Sequence, residues 1–362
     1  MNYLCNYNIV VKEGVNTGKM NVLVSVIIPV YNTDLDMLRQ CVYGVFGQSF
    51  QDFELIIIDD CSTNPNVVEY LDSLCSVSNQ VRVFHSKQNK GISGSRNEGI
   101  MLAKGKWVCF LDHDDWWEKD YLQDLVRGSK AADTDMVISG YTVVDEDGTP
   151  VKYVPEKGKE SFFASPWFIY SYAAPWNRLL RKDFLLDNHI KFPEGCLTED
   201  ITFNITCNAL AHNPQRVVSR GYCNRINPNS TSRSRKFSAM NYEEMPFKDI
   251  KKNCSLIKRI QDEERKNIHK AAVAEHLTVI ICVFARESDW DTLNRARKQA
   301  AHLIRKHMTG YVRRALEYNR CVPSRMAMKI IYFGYMVAIR LYLDRIYCVL
   351  IHTLLNFLMR FA

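Results

Sequence analysis

Between residues 23 and 111 the hydrophobic positions fall into short unbroken runs, each closed by polar groups, with longer periodic stretches between them. The runs are Leu23-Val-Ser-Val-Ile-Ile-Pro-Val-Tyr-Asn32, Glu54-Leu-Ile-Ile-Ile-Asp-Asp-Cys-Ser-Thr63, Val81-Arg-Val-Phe-His85 and Val108-Cys-Phe-Leu111. Continuous apolar stretches of this length suit strands covered on both faces, as in parallel sheets. Leu35, Leu38, Val42 and Val45 recur at helical spacing after the first run, and the loop from Gly91 to Gly99 feeds a further helix. Strands alternating with helix-length segments predict parallel βαβ units with right-handed crossovers, and hence an α/β fold.

The polar closures then share one rim, because open α/β sheets place ligand sites at the carboxyl ends of their strands. Pro29, Tyr31 and Asn32 close the first run, and Asp59 and Asp60 with Ser62 and Thr63 close the second. Asp112, His113, Asp114 and Asp115 close the last. Three clustered carboxylates repel one another, and a hard divalent ion bridging to phosphate oxygens offsets that cost. A solvated acidic turn, with Asp112 or Asp114 capping a helix, is the plainer reading of the same residues.

The blocks SVIIPVYN, QSFQDFELIIIDDCST, NKGISGSRNEGI and FLDHDDWW, in this order between about residues 24 and 125, closely resemble the nucleotide-binding half of family 2 glycosyltransferases. Those are inverting enzymes of the GT-A fold, a Rossmann-like, mostly parallel mixed sheet flanked by helices. Similarity continues at PWNRLLRKDF, FPEGCLTEDITF and Arg225-Ile-Asn-Pro-Asn-Ser-Thr231, and covers roughly residues 23 to 235.

The resemblance implies roles residue by residue. Pro29 and Tyr31 would hold the nucleotide base, and Asp60 would accept a hydrogen bond from a pyrimidine imide N–H. Arg96, at a helix start, would bind the diphosphate through charge-assisted bonds. In the D-x-D element Asp112-His113-Asp114, Asp114 would contact Mn²⁺ or Mg²⁺ and Asp112 would hold the ribose or a water. Asp115 would orient that shell or cap the next helix. Glu199 and Asp200 would stand near a helix N-terminus, where the dipole favours the charged carboxylate, with Asp200 the general base. Trp176 and Asn177 would wall the acceptor side. Arg220, Arg225, Arg233 and Arg235 flank a Ser/Asn/Pro-rich stretch that reads as a mobile basic loop able to close over the diphosphate. Structural readings compete with several of these: helix capping for Asp60, a surface salt bridge for Arg96, charge compensation for Glu199 and Asp200, and plain core for Trp176. His113 stands where the family tends to have a small residue, and Cys61 where it often has glycine, which leaves the path of that loop open.

Composition refines this picture. A chain of 362 residues exceeds one ordinary domain, and 47% hydrophobic residues support a core. Twelve cysteines without a C-x-x-C pair suggest neither a zinc site nor a disulfide framework, and with no signal-peptide pattern a reducing cytosol is expected. Residues 301–362 hold ten Lys or Arg against two Asp or Glu, whereas the whole chain holds 47 against 40, so the basic character belongs to the tail. That tail lacks a nucleic-acid-binding motif and is rich in Leu, Ile, Tyr and Phe, which suits an anionic membrane surface better. Its longest charge-free stretch, Ile346 to Met359, is fourteen residues. A bilayer span needs about twenty, so an in-plane or re-entrant helix is expected, with packing on its own domain or on a second subunit as the other reading.

The expected organisation is a leader over 1–21 (with Met20 an alternative start), a GT-A domain over 22–237, a helical extension over 238–322, and a basic amphipathic segment over 323–362 beginning at Pro323. The expected activity is metal-dependent transfer from a nucleoside diphosphate sugar, UDP-sugars first, to a hydroxyl of a glycan or lipid-linked acceptor, with inversion. Surface-glycan or polysaccharide synthesis at the inner face of the plasma membrane follows as the setting. A nucleotidyltransferase would want a Gly-rich, lysine-bearing phosphate loop after the first strand, which Pro29-Val-Tyr-Asn32 lacks. A partner that only binds glycan or membrane would have no reason to keep Asp60, Asp112, Asp114 and Asp200.

Overall fold

The computed structural model describes residues 10–13, 22–154, 174–227, 240–285, 287–308, 310–313, 315 and 326–359. Arg233, Arg235, Pro323 and all of the leader except 10–13 lie outside the described residues. The chain forms two compact units, neither of them contiguous. The first comprises Met1–Glu156, Ala174–Glu194 and Ala211–Asn227; the second comprises Lys157–Ala173, Gly195–Leu210 and Pro228–Ala362. A division into consecutive domains at residue 237 is therefore not the one the chain adopts, because residues 195–210 belong with the C-terminal helices.

The strands of the first unit are β1 (Val10–Glu13), β2 (Val24–Val30), β3 (Phe53–Asp59), β4 (Val81–His85), β5 (Trp107–Phe110) and β6 (Trp116–Trp117). They continue with β7 (Met136–Ser139), β8 (Tyr141–Val144), β9 (Pro150–Val154), β10 (Arg178–Arg181), β11 (Gln215–Val217) and β12 (Tyr222–Arg225). Eight of them make one sheet in the order β1-β4-β3-β2-β5-β10-β7-β11, and β6-β12-β8-β9 make a smaller one. The run β4-β3-β2-β5 is parallel, as the alternating pattern requires. Helices α1 (Leu35–Phe46), α2 (Pro65–Val77) and α3 (Gly91–Leu102) make its crossovers, and α4 (Tyr121–Gly128) follows β6. Strand β10 is antiparallel to both of its neighbours, β5 and β7, so the sheet is mixed.

Every residue of β2 and β3 is buried, which explains why their apolar runs do not alternate. The polar residues inside these strands are paired. Ser25 Oγ donates to Glu54 Oε1 at 2.6 Å and accepts from the Gly105 N–H at 2.9 Å, while Arg82 Nη1 donates to Glu54 Oε2 at 2.8 Å. Pro29 is buried within β2 rather than in the loop beyond it. A proline in a central strand removes a ladder donor. Here the pairing with β5 stops at Ile27 and Phe110, so Pro29 lies beyond the end of that ladder.

The first unit also holds α5 (Lys182–Asp187). The second unit contains α6 (Glu199–Leu210), α7 (Phe247–Leu256), α8 (Glu263–Val279), α9 (Trp290–His307), α10 (Met326–Arg340) and α11 (Asp344–Met359). Its core includes Leu277, Ile280, Ala300, Ile304, Tyr332, Tyr335 and Met336. After α8 the chain winds as a π-helix over Ile280–Phe284, and the His352 Nε2–H of α11 donates to the Ile281 carbonyl at 2.7 Å. So α11 packs on its own unit, and no helix among the described residues is long and apolar enough to cross a membrane.

At the carboxyl rim of the first sheet, β3 and β4 end side by side with Asp59 opposite His85. Asp59 Oδ2 lies 2.7 Å from His85 Nδ1, and His85 Nε2 lies 3.2 Å from Asp72 Oδ1. Burial alone would raise the Asp59 carboxyl, but hydrogen bonds from His85 and Ser62 outweigh it and hold it below its ordinary 3.8. The hydrogen bond to Asp59, and then Asp72, hold His85 above its ordinary 6.5 against the opposing effect of burial. Asp59 thus stabilises the fold above 3.8 and loses that contribution as pH falls through its lowered value. His85 stabilises below 6.5 and loses it as pH rises through its raised value. Urea titrations of wild type and His85→Asn should therefore differ most between 3.8 and 6.5, with the gap closing on both sides. A gap independent of pH would contradict the ion pair.

Candidate active site

The loops after β2 and β3 are tied into one piece by Asn32. Its Oδ1 accepts from the N–H groups of Thr63 (2.8 Å) and Asn64 (3.1 Å), and its own N–H donates to Ser62 Oγ at 3.0 Å. Asn32 and Cys61 both adopt left-handed backbone, with φ of 43° and 67°. Cys61 thus takes a backbone conformation that favours glycine, at a strain of about 1–3 kcal/mol that the surrounding bonds must hold. Beyond β2, Tyr31 is 47% exposed at the rim.

Asp60 is buried. Its N–H donates to Val30 O at 2.8 Å, and its Oδ1 accepts the Lys90 N–H at 2.7 Å. Burial raises its carboxyl, against the hydrogen bonds from Lys90, Gly91 and Ser95 that lower it. The side chain therefore pins the entry to α3, and the cap of α2 is Asn64, not Asp60. Arg96 lies in the second turn of α3 rather than at its start, and is 2% exposed. Its Nη2 donates to Asp112 Oδ1 at 2.6 Å and its guanidinium lies 5.2 Å from the Phe192 ring centroid. It is not a surface salt bridge: its guanidinium is buried and directed at Asp112.

The three acids after β5 have distinct environments. Asp112 is paired with Arg96, and its carbonyl accepts the Asp115 N–H at 3.0 Å, closing the turn. Asp115 is buried and accepts from the Tyr222 hydroxyl (2.7 Å), Asn224 Nδ2 (3.1 Å) and the Arg225 N–H (2.7 Å). Burial, then repulsion from Asp114 and Asp112, pushes its carboxyl well above the usual range. It does not cap the next helix, which begins only at Tyr121; it bolts the turn to β12. Asp114 Oδ2 accepts from Asn227 Nδ2 at 3.0 Å, and among the described residues no cationic side chain pairs with its carboxylate. His113 Nδ1 hydrogen bonds to Thr33 Oγ1 at 2.7 Å.

Arg225 lies in β12 and is not part of a loop. Its Nε donates to Asp114 O (3.0 Å), Nη1 to Glu146 O (2.5 Å) and Nη2 to Gln40 Oε1 (2.5 Å), so it braces the turn and cannot swing over a ligand without breaking all three. Arg220 stands over the Tyr153 ring at 4.6 Å. Trp176 stacks on Tyr222 with centroids 4.2 Å apart and so backs the Tyr222–Asp115 bond. Asn177 is fully buried and bonds to Ser139 through Nδ2 (2.7 Å) and through its carbonyl (3.0 Å), so it offers no wall to an acceptor. Sequence reasoning gave no role to Tyr222, Asn224, Asn227 and Gln40; Asn227 lies in the Arg225–Thr231 block, and the other three have no motif of their own.

No group of three or more His, Cys, Asp or Glu able to hold a metal occurs among the described residues. The donor chemistry nevertheless fits Mg²⁺ or Mn²⁺, which bind through one or two carboxylates and complete their shell with phosphate and water oxygens. Asp114, with no cation paired to it among the described residues, and the half-buried Asp112 beside it would be that donor set.

In the second unit, Glu199 and Asp200 occupy the first turn of α6, and Asp200 Oδ1 accepts the Ile201 N–H at 2.7 Å. The preceding Thr198 is buried at a φ of 65°, an outlier for a β-branched residue. Its hydroxyl hydrogen bonds to Nε2 of His276 of α8 at 3.0 Å, and burial lowers that histidine to about 3, so the ring is neutral. The Leu197 N–H donates to Glu244 O at 2.9 Å. The approach to the acid pair is thus held from α8 and from the turn at 242–244, and neither tie has a sequence signal.

A mostly parallel mixed sheet with helices on it and a carboxylate rim at its strand ends gives the first unit the GT-A fold. Residues 25–189 match the sequence profile of Glycosyl transferase family 2. Glycosyltransferase GlyG of Streptococcus pneumoniae serotype 4 is 36% identical over 136 residues, 37% of this chain and 44% of the relative. The putative teichuronic acid biosynthesis glycosyltransferase TuaG of Bacillus subtilis is 35% identical over 129 residues, 36% of this chain and 50% of the relative. The match thus spans about half the length of these relatives. The structure of S. aureus TarS 1–349 in complex with UDP-GlcNAc has the same fold, with a TM-score of 0.64 at 20% identity over 92% of each chain.

Thr198→Val keeps the shape of the side chain and removes the bond to His276. The buried ring nitrogen then loses its partner, and stability should fall by about 1–3 kcal/mol. Denaturant unfolding with an unchanged midpoint would show that the bond carries nothing.

Proposed function

We propose that this protein transfers a sugar from a nucleoside diphosphate sugar, UDP-sugars first, to a hydroxyl of a lipid-linked or surface-glycan acceptor, with inversion at the anomeric carbon. The observation that carries the reading is Asp114. Of three carboxylates on one turn, Arg96 neutralises Asp112, and Tyr222, Asn224 and the Arg225 N–H hold Asp115. Asp114 alone is left with a neutral donor and no cation among the described residues. The match of residues 25–189 to family 2, the complex of TarS with UDP-GlcNAc, and the teichuronic acid role in the name of TuaG support the donor and acceptor classes.

In this reading Asp114, with Asp112 beside it, would hold Mn²⁺ or Mg²⁺. When bound, that ion neutralises charge developing on the leaving diphosphate. Arg96 holds Asp112 in place beside the ribose. Tyr31 takes the base side, and Asp60 acts behind it by fixing the Lys90 backbone. Asp115, Tyr222 and Arg225 hold the turn rigid, so that Asp114 is placed before the donor arrives. Asp200 accepts the proton of the acceptor hydroxyl as its oxygen bonds to the anomeric carbon and the diphosphate leaves from the opposite face. The N-terminal turn of α6 and the Ile201 N–H favour its ionised form, and Glu199 adds to the acidic end. The basic surplus of residues 301–362 supports peripheral attachment at the cytoplasmic face of an anionic membrane.

Two substitutions separate the roles. Asp114→Ala should abolish metal-dependent UDP-sugar binding in calorimetry, and wild-type affinity with Mn²⁺ present would sink the assignment. Asp200→Asn should lower turnover by roughly the 10²–10⁴ of a lost general base while donor affinity stays within a few-fold. If donor binding collapsed in parallel, Asp200 would be structural, and a binding-only protein would show no turnover to lose.

A further inference from the structure

Helix α11 carries apolar residues on two faces, and only one of them is used within its unit. Cys348 and His352 face inward, with His352 bonded to the π-helical turn at Ile281. On the other side Ile346, Val349, Leu350 and Leu354 recur at helical spacing and are 57%, 46%, 63% and 50% exposed. The turn before the helix adds Leu341, Tyr342 and Leu343, all exposed. Scattered exposed apolar residues need no explanation, but a continuous stripe of this kind marks an interaction surface.

The stripe is presented by built structure. Asp344, at the start of α11, is buried between Arg297 Nη1 (2.8 Å) and Arg305 Nη2 (3.4 Å). Arg305 Nη2 also donates to Ile339 O at 2.9 Å, and its guanidinium lies 4.1 Å from the Tyr342 ring centroid. The Leu343 N–H closes the corner on Ala338 O at 2.8 Å. The exposed turn is therefore held on its inner side by buried charge pairs.

We infer that this outer face of α11, with the turn at 341–343, is a docking surface for an anionic lipid bilayer, lying in the headgroup plane. Charge selects this occupant. Exposed Arg340 and Arg345 border the stripe, and residues 301–362 carry ten basic against two acidic residues. A second copy meeting the same face would bring like charges together, whereas anionic headgroups neutralise them. An apolar stripe bordered by arginines on a helix too short to span is the arrangement of an in-plane interfacial helix. The inference deepens the peripheral attachment proposed above and does not depend on the chemistry assigned to Asp114 or Asp200.

The test is cosedimentation of the full chain with phosphatidylcholine vesicles, with and without phosphatidylglycerol, at low and high salt. Wild type should bind the anionic vesicles and be released by salt. Leu350→Glu combined with Leu354→Glu should lower the bound fraction about tenfold or more, since it places charge where apolar side chains insert. Arg340→Glu combined with Arg345→Glu should weaken binding to anionic vesicles and flatten its salt dependence. All these positions are exposed, so thermal unfolding and UDP-sugar binding should match wild type, which separates this result from any failure of the catalytic reading. Equal binding with and without phosphatidylglycerol, no binding by wild type, or a dimer in solution that the leucine substitutions dissolve would each overturn the inference.

Discussion

The rim of the first unit depends on one buried carboxylate. Asp115 sits where β5 has ended and β6 begins, out of contact with water, yet it accepts hydrogen bonds from a tyrosine, an asparagine and a backbone amide of β12. A carboxylate in such a place, with two other acids on the same turn, is tolerated only because donors surround it. Those donors come from residues 222–225, more than a hundred positions away in the chain. The bond thus couples the acidic turn to the second sheet, and Trp176 stacked on Tyr222 seals it from behind.

That arrangement divides the work among three neighbouring acids that look alike in sequence. One is neutralised by an internal arginine, one is absorbed into the scaffold, and one is left without a cation among the described residues. The same division relocates Arg96 and Arg225. Both are cations beside the acidic turn, and each is bonded to it or its surroundings, Arg96 to the Asp112 carboxylate and Arg225 to the Asp114 and Glu146 carbonyls. Rigidity of the turn, rather than a large number of exposed cations, is what the first unit provides.

The central parallel strands were legible because their residues are buried on both faces, so hydrophobicity alone marks them. The acidic turn was legible because its polar residues follow such a strand without a break. Strand β6 is two residues long and β12 is four with mixed polarity, too short for any period to show, and so the second sheet and its donors Tyr222 and Asn224 stayed hidden. Position relative to solvent was the harder question. Asn177 and Arg96 read as site residues by type, and only three-dimensional packing reveals that both are buried. The left-handed Cys61 shows the converse: its backbone takes the conformation glycine would favour, although the side chain suggests otherwise.

The interleaving of the two units bears on how the chain acquires its fold. The polypeptide passes between them five times, and the short stretch 195–210 belongs with residues that follow position 228. During synthesis α6 emerges well before α8, whose His276 holds the residue just ahead of it. Until that later segment is made, the Thr198 turn has no His276 partner. Such long-range closure slows folding and exposes apolar surface meanwhile, and it makes the early part of the second unit depend on the later one. A fragment ending near residue 237 would keep the acid pair of α6 but lack the histidine that fixes its entry, so the usual practice of trimming a transferase to its sheet does not suit this chain.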